Sequence, residues 1–159
     1  MIVRPAGEID AEGMSDLLNA IIHAGGTTAL QTLTTGDTLR DWMARNQGRN
    51  AWHVAVDEED VLGFQWIEPH PELPPEAADI ASFVRIGLTG RGVGSALFAA
   101  TRSAAKVLGY RWLNASIRSD NHGGLAYYGR MGFQDWKIDP DAALSDGTVT
   151  GKHHKRFDL

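Results

Sequence analysis

A glycine-rich run from residue 87 to residue 97, GLTGRGVGSAL, is the stretch best suited to binding chemistry. Glycine has no side chain, so a ligand can approach the backbone of such a run closely. The run lies between a predicted strand and a predicted helix, where main-chain N–H groups, the positive end of the helix dipole and Arg91 would together suit a diphosphate. The alternative is a glycine-rich turn that binds nothing.

Two common phosphate-binding motifs do not fit this run. A P-loop requires Gly-Lys followed by Ser or Thr, whereas Val93 follows Gly92 and the first lysine of the chain is Lys106. A dinucleotide-binding fingerprint that starts at Gly90 would need Gly or Ala where the chain has Ser95. Such a fingerprint also follows the first strand of a βαβ unit, whereas this run follows the fourth predicted strand.

A second segment, NHGGLAYYGRMGF over residues 121–133, places an asparagine seven residues before a tyrosine and ends on a Gly-Phe pair. Together the two segments resemble motifs of the GNAT superfamily of acyl-CoA N-acyltransferases. The family's first motif reads Gln or Arg, two residues, Gly, one residue, then Gly or Ala. It matches Thr89 to Gly94, with threonine in the first place. The resemblance is direct over residues 78–136 and depends on element order elsewhere.

The resemblance implies a fold, a cosubstrate and a set of cofactor contacts. The fold is α/β (α+β), with a mixed, mostly antiparallel sheet that is splayed between strands 4 and 5 and flanked by helices. The cosubstrate is acetyl-CoA, and no metal is implied. In the family the exposed backbone of the fourth strand pairs with the pantetheine arm, a role that falls here on Phe83 and Val84. The predicted cofactor-binding residues are Phe83, Val84, Thr89, Gly90, Arg91, Gly92, Val93, Gly94, Ser95, Asn121 and Tyr128.

Tyr128 stands at the position of the family's general acid. A phenol is protonated at neutral pH and can give its proton to a thiolate leaving group. Tyr127 is adjacent, so on a helix it points about 100° away, and it matches a position where the family has an apolar core residue. The alternative for Tyr128 is a packing role with its hydroxyl bonded to the backbone. Asn121 resembles the family's cofactor-contacting asparagine, with a simple helix N-cap as the alternative.

The general base is left open by the sequence. Family members often place a carboxylate six residues before the Val84 position, and that residue is Ala78 here. Asp79 is next to it, but alternation along a strand should point its side chain to the other face unless the strand bulges. Deprotonation through water, or without a base, is a further option. The other candidate bases are Glu68, His70 and His53.

Acceptor contacts are predicted from two tryptophans and one carboxylate. Trp42 and Trp66 belong to elements that flank the acceptor site in this fold, and they indicate an acceptor with an apolar part. Glu68 completes this predicted set. The histidine-containing run over residues 152–156, KHHKR, is interpreted as a solvated end strand, because alternation divides its side chains between two faces.

Composition bounds the class of protein. The 159 residues correspond to about one domain, taken as residues 1–159, and the 43% apolar residues can form a core. The net charge of −5 argues against a broad nucleic-acid-binding face. The absence of cysteine excludes disulfides, thiolate zinc sites and a cysteine acyl-enzyme, and it favours direct attack in a ternary complex. The start of the chain lacks a secretory signal pattern, so a cytoplasmic location without membrane contact is expected.

Hydrophobic periodicity predicts the elements that would carry these residues. The expected strands and helices alternate irregularly, which indicates a mixed sheet rather than a regular doubly wound one. A second helix should begin at an Asp37 N-cap and end at Gly48. The predicted strands cover residues 2–5, 52–56, 61–67, 78–86, 112–117, 133–138 and 148–157, and the predicted helices cover residues 9–24, 37–48, 92–108 and 124–131.

The sequence therefore predicts an acetyltransferase that moves an acetyl group from acetyl-CoA to a primary amine of a small molecule. One alternative is an acyl-CoA-binding sensor without turnover. The other is a protein N-terminal or lysine acetyltransferase, which would need a wider acceptor groove. Family members are frequently dimers, and the final strand could serve as a pairing edge for a homodimer.

Overall fold

The computed structural model describes residues 1–159 and contains one mixed sheet of seven strands. The strand order is β1-β2-β3-β4-β5-β7-β6, and only β4 and β5 run parallel to each other. The strands are β1 Ile2–Pro5, β2 Ala51–Asp57, β3 Asp60–Glu68, β4 Ala77–Val84, β5 Trp112–Arg118, β6 Gln134–Asp139 and β7 Lys152–Asp158. The helices are α1 Ala11–Ala24, α2 Gly36–Ala44, α3 Val93–Val107 and α4 His122–Met131. The predicted fold class is confirmed.

Strands β4 and β5 separate soon after they begin to pair. Their register covers only Ala77 to Asp79 on β4 against Trp112 to Asn114 on β5. Beyond that point β4 continues to Val84 without a partner on its β5 side. The predicted splay is thus present, and it leaves part of the β4 backbone free to pair with a bound molecule.

The two faces of the sheet carry separate cores. In β2 the alternation of side chains sends Trp52, Val54 and Val56 to one face, where α1 and α2 cover them together with Phe64 and Trp66 of β3. On the other face α3 packs on β2 and β3. The second large cluster joins buried residues from β4, β5, α3 and α4, including Ala78, Ile80, Phe98, Leu113 and Tyr128. None of the four helices is long and apolar enough to cross a membrane.

The second helix starts earlier than the sequence predicts. Its N-cap is Thr35, not Asp37, and the helix covers Gly36 to Ala44. Thr35 Oγ1 accepts a hydrogen bond from Thr38 N at 3.2 Å, and the Thr38 hydroxyl accepts one from Thr35 N at 3.1 Å. This reciprocal pair satisfies the first turn, so Asp37 stands inside the helix.

The last strand does not form an edge of the sheet. β7 lies between β5 and β6, with antiparallel partners on both sides. The edge strands are β1 and β6, so the interpretation of β7 as an end strand is wrong. The strand also starts at Lys152 rather than at residue 148, because Gly151 has a φ of 72° and turns the chain into it. The final strand therefore does not offer the free pairing edge that the sequence predicts for it.

An ion pair fastens the start of α1 to the edge of the sheet. Asp10, 6% exposed, accepts hydrogen bonds from Arg4 Nη1 and Nη2 and from Gly7 N, all at 2.8 Å. The hydrogen bonds from Arg4 hold the pKa of the Asp10 carboxyl below its usual value. Asp10→Ala should lower the free energy of unfolding by about 2 kcal/mol at neutral pH in urea denaturation, since three charge-assisted bonds are lost. Asp41→Ala, which removes an exposed carboxylate, is the control.

The Asp10 contribution should also depend on pH with a defined sign. A depressed pKa stabilises the fold above the ordinary value of 3.8, and this stabilisation is lost as the pH falls through the lowered pKa. The difference between wild type and Asp10→Ala should therefore shrink in strong acid. An equal difference at neutral and strongly acidic pH would contradict a role for the charged carboxylate.

Candidate active site

The Tyr128 hydroxyl lies against the unpaired part of β4. Tyr128 comes from α4 and is 7% exposed, and its Oη is 2.7 Å from the Oγ of Ser82. Ser82 is in the stretch of β4 that has no β5 partner. Burial raises the pKa of the Tyr128 phenol well above its ordinary value, so the hydroxyl is protonated at neutral pH. The side chain is thus a neutral proton donor at the place where the sheet opens.

Tyr127 has a polar role that sequence reasoning missed. Its hydroxyl donates to Gly94 O at 2.8 Å and accepts from Gln65 Nε2 at 3.1 Å. Burial raises the Tyr127 pKa to about 12. The apolar position expected from the resemblance is therefore occupied by a side chain that links α4, β3 and the first turn of α3. The only sequence signal was Gln65 itself, a polar residue inside the otherwise apolar strand from residue 61 to residue 67.

The glycine-rich run forms an open turn ahead of α3. Gly87, Gly90 and Gly92 have φ values of 92°, 81° and 83°, a region that residues with side chains rarely adopt. The first intrahelical hydrogen bond of α3 joins Ala96 N to Gly92 O at 3.0 Å. The preceding N–H groups have no partner in the helix, and Gly92 has no side chain to cap them. These groups belong to Val93, Gly94 and Ser95, which follow the exposed residues Thr89, Gly90 and Arg91.

The β4 backbone offers Val84, and not Phe83, to the gap. Arg85 N donates to Leu62 O of the neighbouring chain segment at 2.8 Å. Residues along an antiparallel pair alternate between hydrogen-bonded and non-hydrogen-bonded positions, and Arg85 occupies a hydrogen-bonded one. Two residues earlier, Phe83 therefore also directs its N–H and C=O to β3, whereas the N–H and C=O of Val84 point away from β3. The prediction that Phe83 supplies exposed backbone groups is wrong for this reason. Its ring packs 5.3 Å from that of Phe64.

Asn121 acts as the N-cap of α4. Its Oδ1 accepts from Gly124 N at 2.9 Å, and its Nδ2 donates to Thr27 O at 3.0 Å. Both ends of the amide are therefore engaged within the chain. The capping interpretation describes this geometry, and the cofactor contact of Asn121 stays a prediction.

Asp79 faces away from Tyr128, as alternation along β4 predicts. The pairing of β3 with β4 shows no bulge, so Asp79 projects to the face opposite Ala78 and Ile80, which pack in the cluster that contains Tyr128. Its Oδ1 accepts from Asn114 Nδ2 at 2.9 Å. Burial raises the pKa of the Asp79 carboxyl. A carboxylate with a raised pKa is a stronger proton acceptor than an exposed one.

A small polar pocket of about 130 Å³ opens beside Asp79. His70 also lines the pocket, so the structure brings together two of the candidate bases. Trp136 Nε1 donates to Asn114 Oδ1 at 2.9 Å and fixes the amide that holds Asp79. His53, by contrast, is buried on the α3 side of the sheet, where burial lowers its pKa. Other pocket residues are Glu72, Ser116, Trp136, Lys137, Lys152 and His154.

The predicted acceptor contacts form a cluster next to this pocket rather than in its lining. Trp42 and Trp66 have ring centroids 5.9 Å apart, and Trp66 stacks on Trp52 at 4.2 Å. Glu68 accepts from Trp66 Nε1 at 3.0 Å and pairs with Arg45 at 3.0 Å. The carboxylate of Glu68 is therefore engaged twice. None of the three residues Trp42, Trp66 and Glu68 lines the pocket beside Asp79.

Comparison with known proteins identifies the family. The family model described as "Acetyltransferase (GNAT) family" matches residues 16–133. The putative phosphinothricin acetyltransferase YwnH of Bacillus subtilis is 27% identical over 163 residues, which cover 100% of this chain and 95% of that protein.

Solved structures show the same fold. A ribosomal-protein-alanine N-acetyltransferase from Brucella melitensis superposes with a TM-score of 0.90 at 20% identity, with complete coverage of both chains. A GNAT superfamily phosphinothricin acetyltransferase from Sinorhizobium meliloti, crystallised with AcCoA, superposes with a TM-score of 0.89 at 17% identity. The superposition covers 99% of this chain and 88% of that enzyme. With the family model matching most of its length, the chain belongs to the GNAT family of acetyltransferases.

Proposed function

We propose that this acetyltransferase moves the acetyl group of acetyl-CoA to the primary amine of a small molecule by direct attack in a ternary complex. The observation that carries the proposal is the position of the Tyr128 hydroxyl, 2.7 Å from Ser82 and beside the unpaired part of β4. This position would put a protonated phenol beside the leaving sulfur of a bound acetyl-CoA. No cysteine is present to form an acyl-enzyme.

The start of α3 would bind the diphosphate of the cofactor. The N–H groups of Val93, Gly94 and Ser95 have no partner in the helix, and the helix dipole adds positive potential at the same place. Arg91 is exposed on the same turn and adds a positive charge there. The acetyl-CoA complex of the Sinorhizobium meliloti enzyme supports the choice of cosubstrate.

Val84, Tyr128 and Asp79 would each take part in a different step of the reaction. The backbone of Val84 pairs with the pantetheine arm, and its N–H can stabilise charge on the acetyl carbonyl oxygen, an effect often worth about 3 kcal/mol. As the amine nitrogen bonds to the acetyl carbon, the C–S bond breaks and its electron pair stays on sulfur. Tyr128 then gives its proton to that sulfur. Asp79, on the opposite face of β4, would take a proton from the amine directly or through water.

The pocket beside Asp79 suits a compact, polar acceptor. Its volume of about 130 Å³ is suited to a small molecule or a single side chain. The name of the Bacillus subtilis relative points the same way, since phosphinothricin is a small amino acid with a primary amine. On the name of this relative we favour a small-molecule acceptor over a protein N-terminus or a lysine side chain.

Two measurements test the function. Calorimetric titration with acetyl-CoA should show binding, and thiol release should follow when phosphinothricin, free amino acids or simple monoamines are added. Binding without release on any amine would favour an acyl-CoA sensor. Release that requires peptides and ignores every free amine would favour a protein acetyltransferase.

The role of Asp79 can be tested by its pH dependence. Burial raises the Asp79 pKa, so as the pH falls through that value the base becomes protonated and kcat/KM should fall. Asp79→Asn should lower kcat/KM by about tenfold or more and remove this acidic limb, because an amide cannot accept the proton. Asp139→Asn, on the edge strand β6, is the control. An unchanged acidic limb in Asp79→Asn would rule out Asp79 as the base.

A further inference from the structure

A chain of hydrogen bonds joins the first turn of α3 to the Tyr128 hydroxyl. Tyr127 Oη lies 2.8 Å from Gly94 O and 3.1 Å from Gln65 Nε2. Gln65 Nε2 is also 2.7 Å from Ser82 Oγ, which in turn is 2.7 Å from Tyr128 Oη. We call this set, the Gly94 carbonyl with Tyr127, Gln65, Ser82 and Tyr128, the Gln65 chain. Its central side chain, Gln65, is completely buried.

The Gly94 carbonyl sets the direction of these bonds. A carbonyl oxygen can only accept, so Tyr127 must donate its one hydrogen to Gly94 O. The Tyr127 oxygen then accepts from Gln65, which requires the amide nitrogen of Gln65 on that side. The same nitrogen donates its second hydrogen to Ser82 Oγ. Gln65 Oε1 is consequently left buried without a hydrogen-bond partner. This orientation of the amide therefore costs the free energy of desolvating that oxygen.

The donor direction of the next hydrogen bond, between Ser82 and Tyr128, depends on the bond from Gln65. Ser82 Oγ has two side-chain neighbours, the donating Gln65 nitrogen and Tyr128 Oη. The Ser82 hydrogen can be donated to Tyr128 Oη, the only one of the two that can accept it, whereas the reverse bond, from Tyr128 to Ser82 Oγ, would leave the Ser82 hydrogen without an acceptor among these groups. In the first arrangement the hydrogen of Tyr128 has no acceptor among these groups. Tyr128 lies beside the open edge of β4, so this hydrogen is available to a bound molecule in the gap.

We propose that Gln65 and Ser82 are positioning residues that keep the Tyr128 hydrogen directed at the leaving sulfur; this proposal rests on the proposed function. When the C–S bond breaks, its electron pair goes to sulfur and the Tyr128 proton follows. The phenolate oxygen left behind accepts the Ser82 hydrogen bond, which stabilises its charge. The phenolate regains a proton from solvent before the next turnover, and the proton of the amine goes to Asp79 or water.

Kinetics with acetyl-CoA and phosphinothricin as probes can test the proposal. Ser82→Ala and Gln65→Glu should each lower kcat by about 10- to 100-fold with the acetyl-CoA dissociation constant unchanged, because they act on proton transfer and not on binding. Ser82→Thr, which keeps the hydroxyl, should recover most of the rate. Loss of acetyl-CoA affinity at unchanged kcat, or a Ser82→Thr variant as slow as Ser82→Ala, would overturn the proposal.

A double-mutant cycle separates this proposal from the function on which it rests. If Ser82 acts through Tyr128, adding Ser82→Ala to Tyr128→Phe should cause no further loss of kcat. Additive losses would show that Ser82 acts independently and would overturn the positioning role. Full activity in Tyr128→Phe alone would instead remove the general acid, and the positioning role with it. A slow Tyr128→Phe beside fully active Gln65→Glu and Ser82→Ala would overturn only the positioning role.

The bond directions can also be tested without turnover. In NMR spectra of the free protein, both hydrogens of the Gln65 side-chain amide should be protected from exchange, one by Ser82 and one by Tyr127. Ser82→Ala should release one of them and Tyr127→Phe should weaken the protection of the other. Fast exchange of both hydrogens in the wild type would mean that the amide is not held in this orientation, and the proposal would fail.

Discussion

Replacing Tyr128 with phenylalanine should lower kcat for acetyl transfer by about 10²–10⁴-fold and change the acetyl-CoA dissociation constant by less than about twofold. The substitution keeps the ring, which packs at 5.1 Å against Phe133, and removes only Oη. Without that oxygen the thiolate must leave unprotonated or take its proton from water. Steady-state thiol release and calorimetric titration of acetyl-CoA measure the two quantities separately.

Tyr110→Phe is the matched control for this experiment. Tyr110 is also buried, at 5% exposure, but its hydroxyl donates to Arg49 O and makes no contact with Tyr127, Tyr128 or Ser82. Its kcat should stay within about twofold of the wild type, since a lost hydrogen bond there affects stability alone. If Tyr128→Phe retained wild-type turnover, the general acid would have to be sought elsewhere.

The elements around the site could be predicted because each has a local signal. The hairpin of β2 and β3 follows from alternating apolar residues on both sides of the turn at Glu58 and Glu59, and the structure pairs Asp57 with Asp60 across it. The helix α3 follows from its apolar stripe, and its start follows from Gly92. Local patterns of this kind are independent of what the rest of the chain does.

The Gln65 chain could not be predicted because it depends on register between distant strands. His53, Gln65 and Ser82 lie opposite one another across β2, β3 and β4, and this alignment exists only once the sheet has formed. A shift of one residue would move Gln65 to the other face. The same dependence explains the error at Phe83, since which backbone groups face the gap is decided by the phase of the β3–β4 ladder.

The position of β7 within the sheet cannot be predicted from a local sequence pattern. Its insertion between β5 and β6 brings Lys152 and His154 to the pocket beside Asp79. Residues 152–156 are interpreted from the sequence as a solvated end strand, and the sequence therefore does not predict that His154 lies near Asp79, the candidate base. The pocket beside Asp79 is therefore built from strands that are far apart in sequence.

Under the proposed function, strand β4 would contact both substrates. Tyr128 and Ser82 meet on the face covered by α3 and α4, whereas Asp79 projects to the opposite face of the strand. The splay beyond Asp79 connects the two faces. An acetyl group held in the gap would be accessible to an amine from one side while its sulfur is protonated from the other.

Gly94→Val should weaken acetyl-CoA binding by at least about tenfold, equivalent to about 1.4 kcal/mol. A Cβ at position 94 would lie 2.6 Å from Cε1 and 3.1 Å from Cζ of Tyr127, which is too close for carbon atoms. The Tyr127 ring is half-buried and bonded at its hydroxyl to Gly94 O and Gln65, so it cannot move away without breaking those bonds. The first turn of α3 must then shift, and with it the N–H groups that would hold the diphosphate.

Gly129→Val provides the contrast, because Gly129 lies in α4 with open space around its Cβ position. That variant should bind acetyl-CoA with wild-type affinity, as measured by calorimetry on samples whose thermal unfolding is first shown to be cooperative. Gly94→Val should lose kcat as well as affinity, since displacement of Tyr127 frees the Gln65 amide that orients Ser82. Wild-type affinity in a folded Gly94→Val protein would mean that the diphosphate does not bind at the start of α3, and loss of affinity with unchanged kcat would mean that Tyr127 does not couple this turn to Tyr128.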